Sequence, residues 1–337
     1  MKKMTKLSAL AVSLLFVLVI MLSGCGGSGG GQDGGAGDGP TLITIGTATV
    51  GGAWYPMGGG LANVISNYVP NAKANAIPTG ASIENLTSIE NGDMEIGYAT
   101  SDIPYMMYKG LGDFKENKSF SALAMNDLIY LALIVREDSP IQTFSDIKGK
   151  KLGTGVAGSS NYVIVEEVLK AHDMTYDDVK PYPSGVSQQA EALKDGNIDM
   201  FAYVVAGSMG AAPAIVELDT TAKIRFISLD KEVLEKIQSE KPYYLSKEIG
   251  PGWVKGLTEN VNILGVGTAI CVANDLPDDL VYEICKAMFE YKDELDAIHP
   301  QWEATHKDSV AADIPVPLHP GAEKYYNEIG APVSVLE

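Results

Sequence analysis

The stretch Glu90-Asn91-Gly92-Asp93-Met94-Glu95-Ile96-Gly97-Tyr98 recurs in outline as Lys194-Asp195-Gly196-Asn197-Ile198-Asp199-Met200-Phe201-Ala202. In each copy a polar helix end meets a Gly suited to the left-handed C-terminal turn, and a short apolar strand follows. A glycine closes an earlier strand at a similar distance upstream: Gly46 precedes Gly92 by 46 positions, and Gly153 precedes Gly196 by 43. Around the first joint, residues 42–46 read as a strand and 47–55 as a loop. Pro56 suits the first turn of a helix that aligns Met57, Leu61, Val64, Ile65 and Tyr68 on one face. Ser82 reads as the N-cap of a second helix carrying Ile83, Leu86 and Ile89 along one side, and Ser101-Asp102 as the cap of a third after a strand at 95–100. Around the second joint the same plan returns: strand 151–156, loop 157–161, helix 162–171, helix 187–194 and strand 198–205. One plan used twice predicts an α/β chain folded into two lobes of like architecture.

Two further segments match. Residues 131–138 followed by Ser139-Pro140, and 267–275 followed by Leu276-Pro277, are strands of small and β-branched residues ending in an acidic residue and then a proline. They read as the segments that cross between lobes, one out and one back. Lobe 1 is then residues 41–133 with 267–337, and lobe 2 is 134–266. A hinge of two strands suits rigid-body closure over a central ligand cleft.

The ends set the compartment. Met1-Lys2-Lys3-Met4-Thr5-Lys6 and the apolar run 7–22 before Ser23-Gly24-Cys25 have the form of a secretory signal peptide over residues 1–24. The run approaches the ~17-residue minimum for a membrane span, but Leu22-Ser23-Gly24-Cys25 resembles the lipobox of bacterial lipoproteins, in which the Cys is acylated and becomes the new N-terminus. Residues 25–40 are then a lipidated Cys25 and a Gly-rich flexible tether, spanning on the order of 20 Å. The chain carries a formal net charge of −18, and removal of Lys2, Lys3 and Lys6 with the leader makes it −21. That balance argues against nucleic acid or anionic lipid as a partner. Of the remaining cysteines, Cys271 and Cys285 both sit in apolar patterns and read as buried free thiols; the compartment permits a disulfide and the sequence does not specify one.

In open α/β sheets ligands bind outside the carboxyl ends of the strands. The residues there are Gly52, Ala53, Trp54 and Tyr55; Thr79, Ser82 and Asn85; Thr100, Ser101 and Asp102; Ser159 and Ser160; and Tyr203 and Gly207. A single Ser or Gly before a helix is an ordinary cap. Several such loops at matched places in two lobes point to a cleft whose helix starts attract an anionic group. Only Arg136 and Arg225 exist, and neither falls in these loops, so the donors are amides, hydroxyls, Asn or Lys, with Tyr55, Tyr203 and Trp54 as walls.

Catalysis finds no support. Residues 153–160 give G-x-x-x-x-G-S-S without the Lys of a P-loop. His172, His299, His306 and His319 have no metal-ligand spacing, and no G-x-S-x-G elbow occurs. No cofactor and no metal are expected.

Ile45-Gly46-Thr47 through Gly51-Gly52-Ala53-Trp54-Tyr55-Pro56 resembles the opening motif of TAXI-type solute-binding subunits of TRAP transporters. Thr79-Gly80-Ala81-Ser82-Ile83-Glu84-Asn85-Leu86 and Thr100-Ser101-Asp102 resemble the next two motifs. Residues 144–150, Gly158-Ser159, Val205-Ala206-Gly207 and 318–326 continue the likeness over nearly all of the chain after Pro40. Trp54 and Thr100 depart from the family's usual Tyr and Gln. The resemblance implies a type II periplasmic-binding-protein fold, no catalysis, and an extracytoplasmic receptor. Its ligand would be a small organic anion or amino acid, glutamate-like or a dicarboxylate, delivered to an ion-coupled TRAP permease. The alternative keeps the fold and serves an ABC importer or a sensor.

Replacing Cys25 by Ser is expected to release or mislocalise the protein with its body still folded, as fractionation would read. A Cys25→Ser protein that stays in the membrane fraction would make the apolar run a transmembrane helix.

Overall fold

Ten strands join one sheet in the computed structural model, which describes residues 39–206, 213–252 and 254–337. The leader 1–24, Cys25, the tether up to residue 38, Gly207 and Ser208 lie outside the described residues. The strands are β1 (Thr41–Gly46), β2 (Ala72–Ile77), β3 (Ile96–Thr100), β4 (Phe120–Arg136), β5 (Lys151–Gly153), β6 (Lys180–Tyr182), β7 (Met200–Ala206), β8 (Ile224–Phe226), β9 (Tyr244–Ile249) and β10 (Val261–Ala273). The helices are α1 (Trp54–Tyr68), α2 (Ser82–Glu90), α3 (Asp102–Lys109), α4 (Ser160–Ala171), α5 (Val186–Lys194), α6 (Pro213–Thr221), α7 (Lys231–Glu240), α8 (Asp278–Glu290), α9 (Lys292–Ile298) and α10 (Pro320–Ile329).

The strand order β2-β1-β3-β10-β4-β7-β5-β6 reads the same from either end in terms of role. On one side β1 pairs in parallel with β2 and β3; on the other β5 pairs in parallel with β6 and β7. Between them lies the antiparallel pair β4–β10, flanked by antiparallel β3 and β7. The plan read twice from the sequence is thus present as two β-α-β-α-β units, and the fold is the two-lobed α/β arrangement of periplasmic binding proteins. Both central strands are longer than the sequence reading. β4 is 17 residues and pairs with β10 from Phe120 to Tyr130 and with β7 from Ile129 to Ile134. β10 pairs with β9 over Val261–Val266 and with β3 over Thr268–Val272.

Alternation along β4 feeds two cores. Leu131, Leu133 and Val135 join one apolar cluster, and Tyr130, Ala132 and Ile134 the other, because successive side chains leave opposite faces of a strand. Close approach of α1 to the end of β1 explains one glycine of a neighbouring pair. A Cβ on Gly58 of α1 would meet Thr47 Cγ2 at 2.3 Å, whereas one on Gly59 would meet nothing within 4 Å.

Each lobe also carries an amide wedge. Asn85 of α2 fills the space beside Gly46 and Gly97, and its Nδ2 donates to the Thr47 and Tyr98 carbonyls at 2.8 Å each. Gln189 of α5 fills the space beside Gly153 and donates to the Ser184 carbonyl at 2.8 Å.

Four local readings change. α1 begins at Trp54, two residues inside the stretch read as loop, and Pro56 lies in its first turn as expected. Ser82 is inside α2, whose N-cap is Ala81, and the Ser82 hydroxyl is used elsewhere. The residues read as a strand to 156 leave the sheet after Gly153, where Gly155 takes a positive φ. α4 begins at Ser160 and is capped by Ser159, whose hydroxyl accepts from the Tyr162 N–H at 3.3 Å.

Asp102 starts α3 fully buried. Burial pushes its carboxyl up to about 6, against the pull of a 3.0 Å hydrogen bond from the Tyr244 hydroxyl of β9. Cys271 and Cys285 are free, buried, and pushed up to about 12 by burial.

Two outcomes follow from this packing. Gly58→Ala should lower the unfolding midpoint, because overpacking costs ~1 kcal/mol or more, while Gly59→Ala should raise stability by ~0.5–1 kcal/mol. Denaturant titration of the pair checks the contrast. The raised Asp102 carboxyl binds its proton more tightly folded than unfolded. Its contribution is therefore complete below about pH 4 and is lost as pH rises through about 6, on the order of 3 kcal/mol in total. Asp102→Asn should remove that part of the pH dependence of the midpoint, and an unchanged profile would refute it.

Candidate functional site

Four loops from the two lobes meet at one cavity of about 80 Å³. Their shared feature is that each leads into a helix whose N-cap residue lines the space. The N-caps of α1, α2, α4 and α5 are Ala53, Ala81, Ser159 and Gly185, and all four line the cavity. The first-turn N–H groups of a helix have no intrahelical acceptor, and each helix adds about +0.5 elementary charge at this end. No Asp, Glu, Lys, Arg or His lines the cavity among the described residues; the one carboxylate at these helix starts, Glu84 in the first turn of α2, stands behind the lining and accepts from the Gly80 N–H at 2.6 Å. Residues 207–212, which follow β7, are Gly-Ser-Met-Gly-Ala-Ala and bring no ionisable side chain.

The loops are tightly fixed. Thr47 Oγ1 donates to the Ile77 carbonyl at 2.7 Å, and Thr79 Oγ1 donates to the Thr47 carbonyl at 3.2 Å, so the β1–α1 and β2–α2 loops are stitched together. The Thr79 hydroxyl also accepts from the Ala81 N–H at 3.1 Å. Ala81 sits at φ 77°, ψ −150°, a conformation costing a non-glycine residue about 1–3 kcal/mol, at the start of α2.

The lobes touch across the cleft. Ser82 Oγ accepts from the Thr100 N–H at 3.0 Å and donates to Ser160 Oγ of lobe 2 at 3.2 Å. A Cβ on Gly51 would lie 2.8 Å from Ser187 Oγ. The Tyr203 hydroxyl is hydrogen bonded to Thr49, and burial pushes it up to about 12.

The sequence-predicted residues divide accordingly. Gly52, Ala53, Trp54, Ser159, Ser160 and Tyr203 line the cavity. Ser82 stands just behind it, joined to Ser160. Thr79 and Asn85 brace the loops, as described above. Thr100, Ser101 and Asp102 are buried beside the central pair, where the Ser101 N–H donates to the Gly267 carbonyl at 2.8 Å. Tyr55 is 37% exposed on the outer face of α1 and does not line the cavity. Gly207 lies outside the described residues. Arg136 pairs with Asp138 at 3.3 Å, and Arg225 donates to the Ser139 and Ile141 carbonyls, both away from the cavity.

Three lining groups were not anticipated. Ser184 and Gly185 had a legible signal: Pro78-Thr79-Gly80-Ala81-Ser82 recurs as Pro183-Ser184-Gly185-Val186-Ser187. Ile129 comes from the part of β4 where its pairing passes from β10 to β7. Gln301 comes from the short 3₁₀ turn Pro300–Ala304, far along the return segment and outside any strand-end loop. No local pattern marks it.

Comparison with known proteins places the chain. The NMT1-like family matches residues 45–330. A curated relative, described as an aliphatic sulfonates-binding protein of Escherichia coli (strain K12), is 25% identical over 143 residues; the alignment spans 40% of this chain and only 40% of that protein. Among solved structures, a protein from Bordetella bronchiseptica RB50 superposes with a TM-score of 0.50 at 15% identity, covering 86% of this chain and 81% of the other. A binding-protein component of an ABC phosphonate transporter from Pseudomonas aeruginosa does so with a TM-score of 0.50 at 11% identity, covering 80% of each chain. The comparisons return the NMT1-like family for this chain, and the finer resemblance to a TAXI-type receptor of a TRAP transporter, drawn from the motifs, is not among what they show. The chain belongs to the NMT1-like family, and it is built as the two-lobed periplasmic binding proteins are.

Proposed function

We propose that this protein is an extracytoplasmic receptor that captures a small organic anion, a sulfonate or carboxylate, between its lobes and presents it to an ABC-type importer. The observation that carries the reading is the convergence of four helix N-termini, two from each half of the sheet, on a cavity lined by no charged side chain among the described residues. Such a site holds an anion by oriented N–H groups and hydroxyls and needs no arginine. The sulfonate-binding relative supports the ligand class, and the phosphonate-transporter neighbour shares the fold. Among the described residues the cavity lining pairs no nucleophile with a base, and we read the site as a binding site.

Cys25 holds the body at the outer face of the membrane on this reading. The lobes, 41–133 with 267–337 and 134–266, turn about β4 near Leu131 and β10 near Gly267. The order of motifs from Ile45 to Tyr326 favours a second reading, delivery to a TRAP permease. An ATPase gene beside this one supports the ABC partner, and a large multi-span permease gene without an ATPase supports the second.

Calorimetry with short sulfonates and carboxylates tests the site. Ser159→Ala removes a lining hydroxyl and the α4 cap and should weaken anion binding about ten-fold. Arg136→Lys and Arg225→Lys should leave it unchanged. Loss of binding on an arginine substitution, with none on Ser159→Ala, would overturn the reading. Closure is checked separately by small-angle scattering, where a saturating ligand should reduce the radius of gyration. A ligand gains closure only through its higher affinity for the closed state, so an unchanged radius in a verified complex would count against the clamp.

A further inference from the structure

Gln301 lines the cavity at 1% exposure, and neither its Oε1 nor its Nε2 has a hydrogen-bond partner among the described residues. Its position is fixed. The Gln301 N–H donates to His299 Nδ1 at 3.2 Å, Pro300 opens the 3₁₀ turn, and the neighbouring Trp302 is fully buried. A buried amide with both ends idle is unfavourable until something supplies a donor and an acceptor together. No side chain of the lining does so, since neither Gln301 amide atom has a partner among the described residues, and Ile129, Val156 and Val204 of the same lining are apolar.

We infer that the ligand carries, at the end away from its anionic group, a neutral function that both donates and accepts a hydrogen bond, a hydroxyl or a primary carboxamide, and that this function is seated on Gln301. The inference rests on the anion reading given above. The helix N-termini take the charged end, the apolar wall spaces the two ends, and Gln301 reads the second. An alkyl end leaves both amide atoms idle. An ammonium end offers donors alone and buries a cation where no carboxylate lines the wall and four positive helix ends converge. Simple alkyl anions therefore bind weakly, and amino-substituted ones are rejected. The cavity volume of about 80 Å³ keeps the ligand short.

The test is a calorimetric titration of the purified protein with two matched trios. One is 2-hydroxyethanesulfonate, ethanesulfonate and 2-aminoethanesulfonate; the other is 3-hydroxypropanoate, propanoate and 3-aminopropanoate. Within at least one trio the hydroxy member should bind ten-fold or more tighter than the alkyl member, and the amino member more weakly than either. Gln301→Leu should bring the hydroxy-to-alkyl ratio to about one while keeping alkyl binding, which also reports that the variant is folded. Should Gln301→Leu fail to fold, the wild-type ratios decide by themselves. Anion binding without a hydroxy preference, an amino member that binds as well as the hydroxy one, or a preference that survives Gln301→Leu overturns this inference and leaves the anion reading standing. Binding by no member of either trio overturns both.

Discussion

The antiparallel pairing of β4 with β10 is the constraint on which the other features depend. β10 is hydrogen bonded to β9 toward its amino end and to β3 toward its carboxyl end, while β4 pairs with β10 up to Tyr130 and with β7 from Ile129. Two parallel β-α-β-α-β units are thereby attached on opposite sides of a common pair, with roles mirrored about it. In a parallel unit the helix following each strand starts at the strand's carboxyl end. Mirroring two such units about one pair brings four helix starts to one crevice. The proposed hinge and the gathering of helix starts thus share one structural origin.

The electrostatics of the site are separate from those of the molecule. A chain of formal charge −18 would repel a small anion at long range. Screening shortens that repulsion to roughly 10 Å at moderate salt, while the helix N–H groups act at contact inside a cavity free of charged walls among the described residues. Hydrogen bonds to an ionised ligand are the strong ones in such a place. Rigidity matters as much as polarity. The Thr47–Ile77 and Thr79–Thr47 bonds, the Asn85 wedge and the unusual backbone of Ala81 hold the donors in position before any ligand arrives.

What the sequence made legible was whatever depends on local period and punctuation. The Asn91-Gly92 and Asp195-Gly196 stops marked the joints because only a few residues take the left-handed turn they require. The paired proline-terminated strands marked the crossing segments because both lie at the same kind of place in the path. The loops with Gly52, Ala53, Ser159 and Ser160 were found by position, as strand-to-helix turns. Strands β2, β6, β8 and β9 escaped because they are short or polar on one face, and their pairing is set by neighbours that no window contains. Ser82 looked like a cap because a hydroxyl before an apolar helix usually is one, but its oxygen is taken by Thr100 and Ser160, 18 and 78 residues away.

By itself, then, the sequence determined the α/β class, the duplicated plan and an arginine-free set of cleft loops, all of which follow from spacing and residue type. Only the tertiary structure decided which of those loops share one cavity, that Tyr55 points away from it while Tyr203 lines it, and that Asn85 braces a loop. It alone brought Gln301 from a 3₁₀ turn near the end of the chain to the cavity wall. Contacts across such separations are fixed by how the return segment packs against the sheet, a property of the folded chain that no local pattern encodes.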